Sequence, residues 1–308
     1  MSDKRYARSI GVIMVVVLML TATVMPAAAV LGTTDFAFDT WEARWDNPVS
    51  WGKADRSWLW GQRILGTVTS EPYADAPGGM RAVRYYDKAR MEYVPGGASP
   101  NVEQNPWSVT TGLLATELMT GRLQLGNDLF EQHQPSHVPV AGDPDSGDIT
   151  PSYAVMGTVM DDQALPTGTD IIQTMDAQGN VGADQRFAAH DVTAVDVGSP
   201  TGHTVASIFW SWVTQTGVVY NGLLDQPWVS EPLFQNPFYA TGYPTTEAYW
   251  SKARVGGVVK DVLIQCFERR CMTYTPSNTP QWQVEMANIG QHYYHWRYVE
   301  IPAETQQP

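Results

Sequence analysis

Two stretches of this chain are degenerate copies of one another, so whatever backbone one adopts the other is expected to adopt as well. Thr69-Ser70-Glu71-Pro72-Tyr73 reads over Thr245-Thr246-Glu247-Ala248-Tyr249 at an offset of 245 − 69 = 176, and Tyr86 to Pro95 reads over Phe267 to Pro276 at 267 − 86 = 181. On that alignment 181 − 176 = 5 extra residues fall between the two blocks of the second copy. The match continues with Trp107 and Val109 over Trp282 and Val284, and with Leu114 over Ile289. Each copy reads as strand, β-hairpin, Trp-x-Val strand and short helix. In the first, Ile64 to Val68 has strand composition, and Ala82 to Tyr86 and Met91 to Val94 are hairpin arms around Asp87-Lys88-Ala89-Arg90. Leu113 to Met119 is the helix, stopped by Thr120-Gly121. Its counterpart places Ile289, Tyr293 and Trp296 at helical spacing behind Asn288 as N-cap.

The copies delimit the rest. Residues 30–120 form a first repeat unit and 201–301 a second, with a middle module at 121–200 and a short tail at 302–308. The middle module is rich in Gly, Pro, Asp and Thr with short alternating runs, and Asp176 to Val181 is a hairpin turn, so it reads as β-rich. Thr204 to Val213 reads as a helix closed by Gly217, and Trp41 and Trp45 lie i,i+4 on a short helix ended by Asp46-Asn47-Pro48. The expected fold is β-rich α+β, two similar strand/hairpin/short-helix units flanking a middle β module. Residues 1–29 read as a secretory signal peptide: Lys4, Arg5 and Arg8 precede an apolar run from Ile10, and Ala27-Ala28-Ala29 offers small residues for cleavage. An uncleaved anchor is the rival reading, because the run approaches the ~20 residues a spanning helix needs. The whole chain carries −13, and removing the signal's net +2 leaves −15, which disfavours nucleic acid and anionic lipid as partners.

Phe238 to Tyr249, Gln265 to Arg270 and Trp282 to Tyr294 resemble uncharacterised secreted repeat proteins of Chloroflexota bacteria. More distantly the chain is similar to the LGFP repeat of bacterial envelope proteins. Gly242, Tyr243 and Pro244 would occupy the Gly-Phe-Pro positions with Thr241 in place of leucine, and Leu65-Gly66 would keep part of the pattern in the first unit. The resemblance implies attachment to, or recognition of, the cell envelope, and it brings no catalytic residue.

Motifs for catalysis are sparse. There is no Gly-x-Ser-x-Gly, no Ser-x-x-Lys and no phosphate-binding Gly-x-x-x-x-Gly-Lys, so no catalytic residue, metal or cofactor is assigned. His292 and His295 stand i,i+3 on the last helix without a third ligand, and His133 and His137 are separated by Pro135. Asp143 to Asp148 has the acidic spacing that opens a calcium loop, but its glycine is fifth and Ala154 stands where a bidentate Glu belongs. Cys266 and Cys271, the only cysteines, are expected to form a disulfide if Phe267 to Arg270 make a four-residue loop. Among 12 Trp and 14 Tyr, those kept in both units (Tyr73/Tyr249, Tyr86/Phe267, Tyr93/Tyr274, Trp107/Trp282) read as shared packing. Those found in one unit, Trp228, Tyr239, Tyr243 and Trp250, are the candidates for stacking on sugar rings. The expected function is therefore a non-enzymatic, secreted or cell-surface binding protein whose partner is envelope polysaccharide or envelope proteins. A glycan hydrolase using Glu231, Glu247 or Glu268 and a self-assembling surface-layer subunit are the alternatives.

Overall fold

The computed structural model describes residues 27–93, 107–222 and 225–304. The signal segment up to Pro26 lies outside the described residues, as does Val94 at the end of the first hairpin. The fold is α+β and β-rich, with both repeats present. In the first repeat a helix, α1 (Ala27–Ser50), leads to four antiparallel strands in sheet order β1-β2-β3-β4: β1 (Thr69–Pro72), β2 (Met80–Tyr85), β3 (Arg90–Tyr93) and β4 (Val109–Thr110). Helix α2 (Leu114–Thr120) follows, and Gly121, at φ 72°, ends it in the left-handed region as expected.

Helix α1 is longer than expected. Phe38, Trp41 and Trp45 recur at helical spacing on its buried face, each burial contributing about 1.5–3 kcal/mol. Pro48 lies within the last turn, where its missing N–H costs a single helical bond. Asp46 does not end the helix either: its buried carboxylate accepts the backbone N–H of Leu59, Trp60 and Gly61 and so fixes the chain that enters the sheet. Ile64 to Val68 is a second correction. It is not a strand; only Ile64 N–H reaches Tyr85, and pairing with β2 begins at Thr69.

The middle segment begins with a two-stranded hairpin, β5 (Arg122–Gln124) and β6 (Phe130–Gln132), followed by the one-turn helix α3 (Tyr153–Gly157). The hairpin expected at Asp176 is formed by β7 (Gln173–Met175) and β8 (Val181–Ala183). It is no separate module, since Thr174 of β7 pairs in parallel with Trp250 of the second repeat and the two middle strands extend that repeat's sheet. Two short strands, β9 (Ala194–Val195) and β10 (Val205–Ala206), pair before α4 (Ser207–Thr214). That helix starts three residues later than expected and stops at Gln215; Gly217 instead lies in β11 (Thr216–Tyr220), which pairs with β12 (Trp228–Pro232).

The second repeat supplies β13 (Tyr249–Val255), β14 (Val258–Cys266), β15 (Cys271–Tyr274) and β16 (Val284–Met286), completing a sheet of order β16-β15-β14-β13-β7-β8. Helix α5 (Ile289–His295) closes it. Cys266 and Cys271 face each other across β14 and β15, bonded, with Phe267 N–H on Arg270 O closing the four-residue loop between them. The first repeat holds Tyr85 and Arg90 at the same paired positions.

The hydrogen bonds of the two hairpin turns set a different alignment of the copies. Asp87 N–H donates to Gln62 O and Lys88 N–H to Trp60 O; Glu268 N–H donates to Tyr243 O and Arg269 N–H to Thr241 O. The offset is 181 throughout, so Gly61 stands over Gly242, and Glu71 is not the counterpart of Glu247, nor Tyr73 of Tyr249. Both glycines have φ 72°, and a Cβ on either would run into the acidic side chain of the opposite turn, Asp87 or Glu268. Leu65-Gly66 consequently does not occupy the place of Gly242. With the offset corrected, no five-residue insertion remains: Thr69 pairs with Val83 and Tyr249 with Ile264, so the β13–β14 hairpin is longer than its counterpart by a single residue. Beyond β3 the offset becomes 175, as the pairs Glu92 with Thr110 and Thr273 with Glu285 require.

The helices are exchanged between the repeats. Thr116 N–H of α2 donates to Glu268 O in the second repeat's hairpin turn, and Gln291 N–H of α5 donates to Asp87 O in the first repeat's turn. At an offset of 175, Thr116 and Gln291 are equivalent, so the two bonds are one interaction made twice about an internal pseudo-twofold relation. Between the helices lies a buried cluster of Leu114, Leu118, Ile289, Tyr293 and the disulfide.

Candidate binding site

A cavity with a built polar wall, about 420 Å³, opens beside the first repeat's sheet. Strand β2 places Arg81 in its wall, β3 places Glu92 and Tyr93, β4 places Thr110, and the chain from β4 to α2 supplies Leu113. Tyr73 and Asp75 come from the β1–β2 connection, Gln124 and Asn127 from the β5–β6 hairpin. Arg269 alone crosses from the second repeat, because its hairpin turn is where α2 docks.

Positions of these groups are set by their bonds. Tyr73 OH donates to Asn127 Oδ1 at 2.9 Å, and Asn127 N–H to Asp75 Oδ2 at 2.6 Å, which holds the rim. The Arg81 guanidinium lies 4.4 Å from the Tyr73 ring centroid and donates to Glu92 Oε2 at 3.0 Å. Burial pushes the Glu92 carboxyl up, but Arg81 and Arg90 outweigh it and hold it below the usual carboxylate range. The Nε of Arg81 is buried with no acceptor among the described residues. Two cations, two carboxylates, two amides and two phenol rings make this a wall of balanced charge, suited to a neutral ligand with many hydroxyls and one apolar face.

Of the aromatic residues singled out by sequence, the structure divides four in two. Trp250 is fully buried, stacked 4.3 Å from Phe187 with its indole N–H on Ile171 O, and Tyr239 is buried with its hydroxyl on Val109 O. Both are core, leaving no ring face for a sugar, because the middle segment covers the one and α1 packs against the other. Trp228 and Tyr243 stay half-exposed in separate clusters, the first with Tyr220 and the 70 % exposed Trp51, the second with Phe238. Sharing between repeats proved an unreliable mark of packing, since Trp107 is 43 % exposed and Tyr93 borders the cavity. The signal that would have found the site is the acid–base dipeptide repeated at both hairpin turns, Asp87-Lys88 and Glu268-Arg269.

The acids considered for hydrolysis have structural partners. Glu231 pairs with Arg44, Glu247 accepts from Thr204 N–H and lies 3.1 Å from His203, and Glu268 accepts Tyr243 N–H at 3.0 Å. In the acidic run, Asp143 accepts the N–H groups of Gly256 and Gly257, and Asp148 pairs with Arg254. His292 shares a hydrogen bond with Tyr153 and His295 lies 3.7 Å from Glu300, so the two imidazoles are directed to different partners. Among the described residues no three His, Cys, Asp or Glu side chains are grouped to hold a metal, and no helix is long and apolar enough to cross a membrane. No protein-family model matches this chain, and neither a curated protein nor a solved structure matches it.

Proposed function

We propose that the chain is a secreted, envelope-associated binding protein without catalytic activity, and that the cavity at Arg81 and Tyr93 holds a sugar residue of wall or surface polysaccharide. The observation that carries this reading is the cavity wall itself: phenol rings beside carboxylate, amide and guanidinium groups. Hydroxyl-rich rings are recognised by such sets because each hydroxyl both donates and accepts while the C–H face packs on an aromatic surface. The engagement of Glu231, Glu247 and Glu268 in structural contacts favours binding over hydrolysis. Export is proposed from the signal-like N-terminus, and the LGFP-like segments are consistent with an envelope partner.

The test is retention of the mature protein on isolated cell envelopes, measured by sedimentation, with reducing ends and light scattering followed in parallel. Wild type is expected to sediment with envelopes and release no reducing ends, and Tyr73→Ala with Gln124→Ala to weaken retention at least tenfold with an unchanged melting temperature. Undiminished retention of that variant, sedimentation without envelopes, or release of sugar abolished by a Glu→Gln change would overturn the proposal.

A further inference from the structure

Each repeat builds a cavity at the same place. A second one, about 170 Å³, lies beside the second repeat's sheet, and six of its positions are the structural equivalents of six in the first. Val262, Thr273, Glu285, Ala287 and Asn288 stand where Arg81, Glu92, Thr110, Gly112 and Leu113 stand in the first repeat, and Lys88 stands where Arg269 does. The crossing cation is even held alike. Lys88 Nζ donates to Met286 O at 3.0 Å, and Arg269 Nη1 donates at 3.4 Å to Thr111 O, the carbonyl equivalent to Met286 at the offset of 175. Each repeat's cavity is thus closed by a cation that the other repeat supplies, and both exist only when the two repeats are docked.

We infer that this second cavity, lined by Lys88, Glu285, Asn288 and His292, is a binding site for the same class of ligand, a hydroxyl-rich sugar, and that one chain grips one polysaccharide at two points. The inference rests on the reading of the first cavity given above. Its chemistry is complete for hydroxyls: an ammonium, the Glu285 carboxylate, the Thr273 and Thr275 hydroxyls and an imidazole converge on it. His292 shares one ring nitrogen with Tyr153, and its Nε2 has no protein partner among the described residues. Burial, with Lys88 adding to it, holds the imidazole neutral down to about pH 4, so Nε2 meets a ligand hydroxyl uncharged. With no aromatic side chain in its wall apart from this imidazole and less than half the volume of the first, it grips a smaller part of the sugar more weakly. Two weak sites on one rigid chain raise the effective concentration of a polymer at the second once the first is filled.

The experiment uses the full mature chain with the methyl glycosides of glucose, mannose and N-acetylglucosamine, and with a sensor surface coated in each of the corresponding polymers. Native mass spectrometry is expected to count two glycosides per chain for at least one of these sugars. Glu285→Leu with Thr275→Val should leave one, Tyr73→Ala with Gln124→Ala should leave the other, and either pair should speed dissociation from the polymer at least tenfold. Should the Glu285→Leu pair fail to fold, Glu285→Gln and the ligand-induced shift of the His292 ring resonances in NMR supply the readout. A single glycoside per chain, unaffected by the Glu285 variants, overturns the second site and leaves the first standing. No glycoside bound at all overturns the first site and the second with it.

Discussion

At Glu71 the chain has placed a charge where water cannot reach it. Its carboxylate lies between the guanidinium of Arg90, at 2.9 Å, and the hydroxyls of Tyr85 and Tyr298, with Arg297 at 3.7 Å. Burial raises this carboxyl, but Arg90 and Arg297 more than offset it and hold it at about 2. A carboxyl whose folded pKa is depressed contributes its full stability above about pH 4.5 and loses it as pH falls toward 2. Arg90→Met, which leaves Glu71 and Glu92 without their closest cation, should cost about 3–5 kcal/mol at neutral pH. It should also flatten the acid limb of a melting-temperature profile between pH 4.5 and 2. Chemical denaturation and that profile check both statements, and a variant as stable as wild type with an unchanged acid limb would contradict them.

At the scale of an element, the two hairpin turns show one backbone solved by two chemistries. The second repeat ties its turn with the Cys266–Cys271 bond, and the first sets Tyr85 opposite Arg90, which carries its pairing into the Glu71 cluster. Closing so short a loop removes little entropy from the unfolded chain, so Cys266→Ser with Cys271→Ser should lower the unfolding free energy by only about 2 kcal/mol. The oxidised protein should also have an intact mass ~2 Da below the reduced one. An unchanged mass on reduction refutes the bond. A loss well above the entropic figure would mean instead that the sulfurs pack as part of the buried cluster around Ile264 and Tyr293.

The whole molecule is held together by exchange, since each repeat's helix completes the other repeat's hairpin turn. Gly290 sits at that junction, where an added Cβ would lie 1.9 Å from Tyr86 O and 2.4 Å from Ala89 O, both backbone atoms that have no room to yield. Gly290→Ala should therefore destabilise the chain by about 2–4 kcal/mol. Because the junction is shared, calorimetry should still record one cooperative transition at a lower temperature; two separated transitions, one per repeat, would show that the repeats stand alone. Lys88 and Arg269 each bond to a carbonyl of the opposite repeat while lining its cavity, so on the proposed function ligand binding and repeat docking are expected to reinforce each other.

By itself the sequence determined the hairpin and the short helix of each repeat, because apolar periodicity, Gly121 at a helix end and the four residues between Cys266 and Cys271 are local signals that each act within a few residues. It also determined that there are two copies. It misplaced their register ahead of the first hairpin, since Thr-x-Glu-x-Tyr happens to recur while the equivalence of Gly61 and Gly242 rests on a left-handed backbone and a close approach that letters do not display. Tertiary structure alone decided that the helices cross over, that the middle segment joins the second sheet, and that Trp250 and Tyr239 are core. It also decided the cavities, which gather Arg81, Asn127 and Arg269 from three parts of the chain. Convergence of that kind depends on how packed layers meet in space, and no spacing along the chain encodes it.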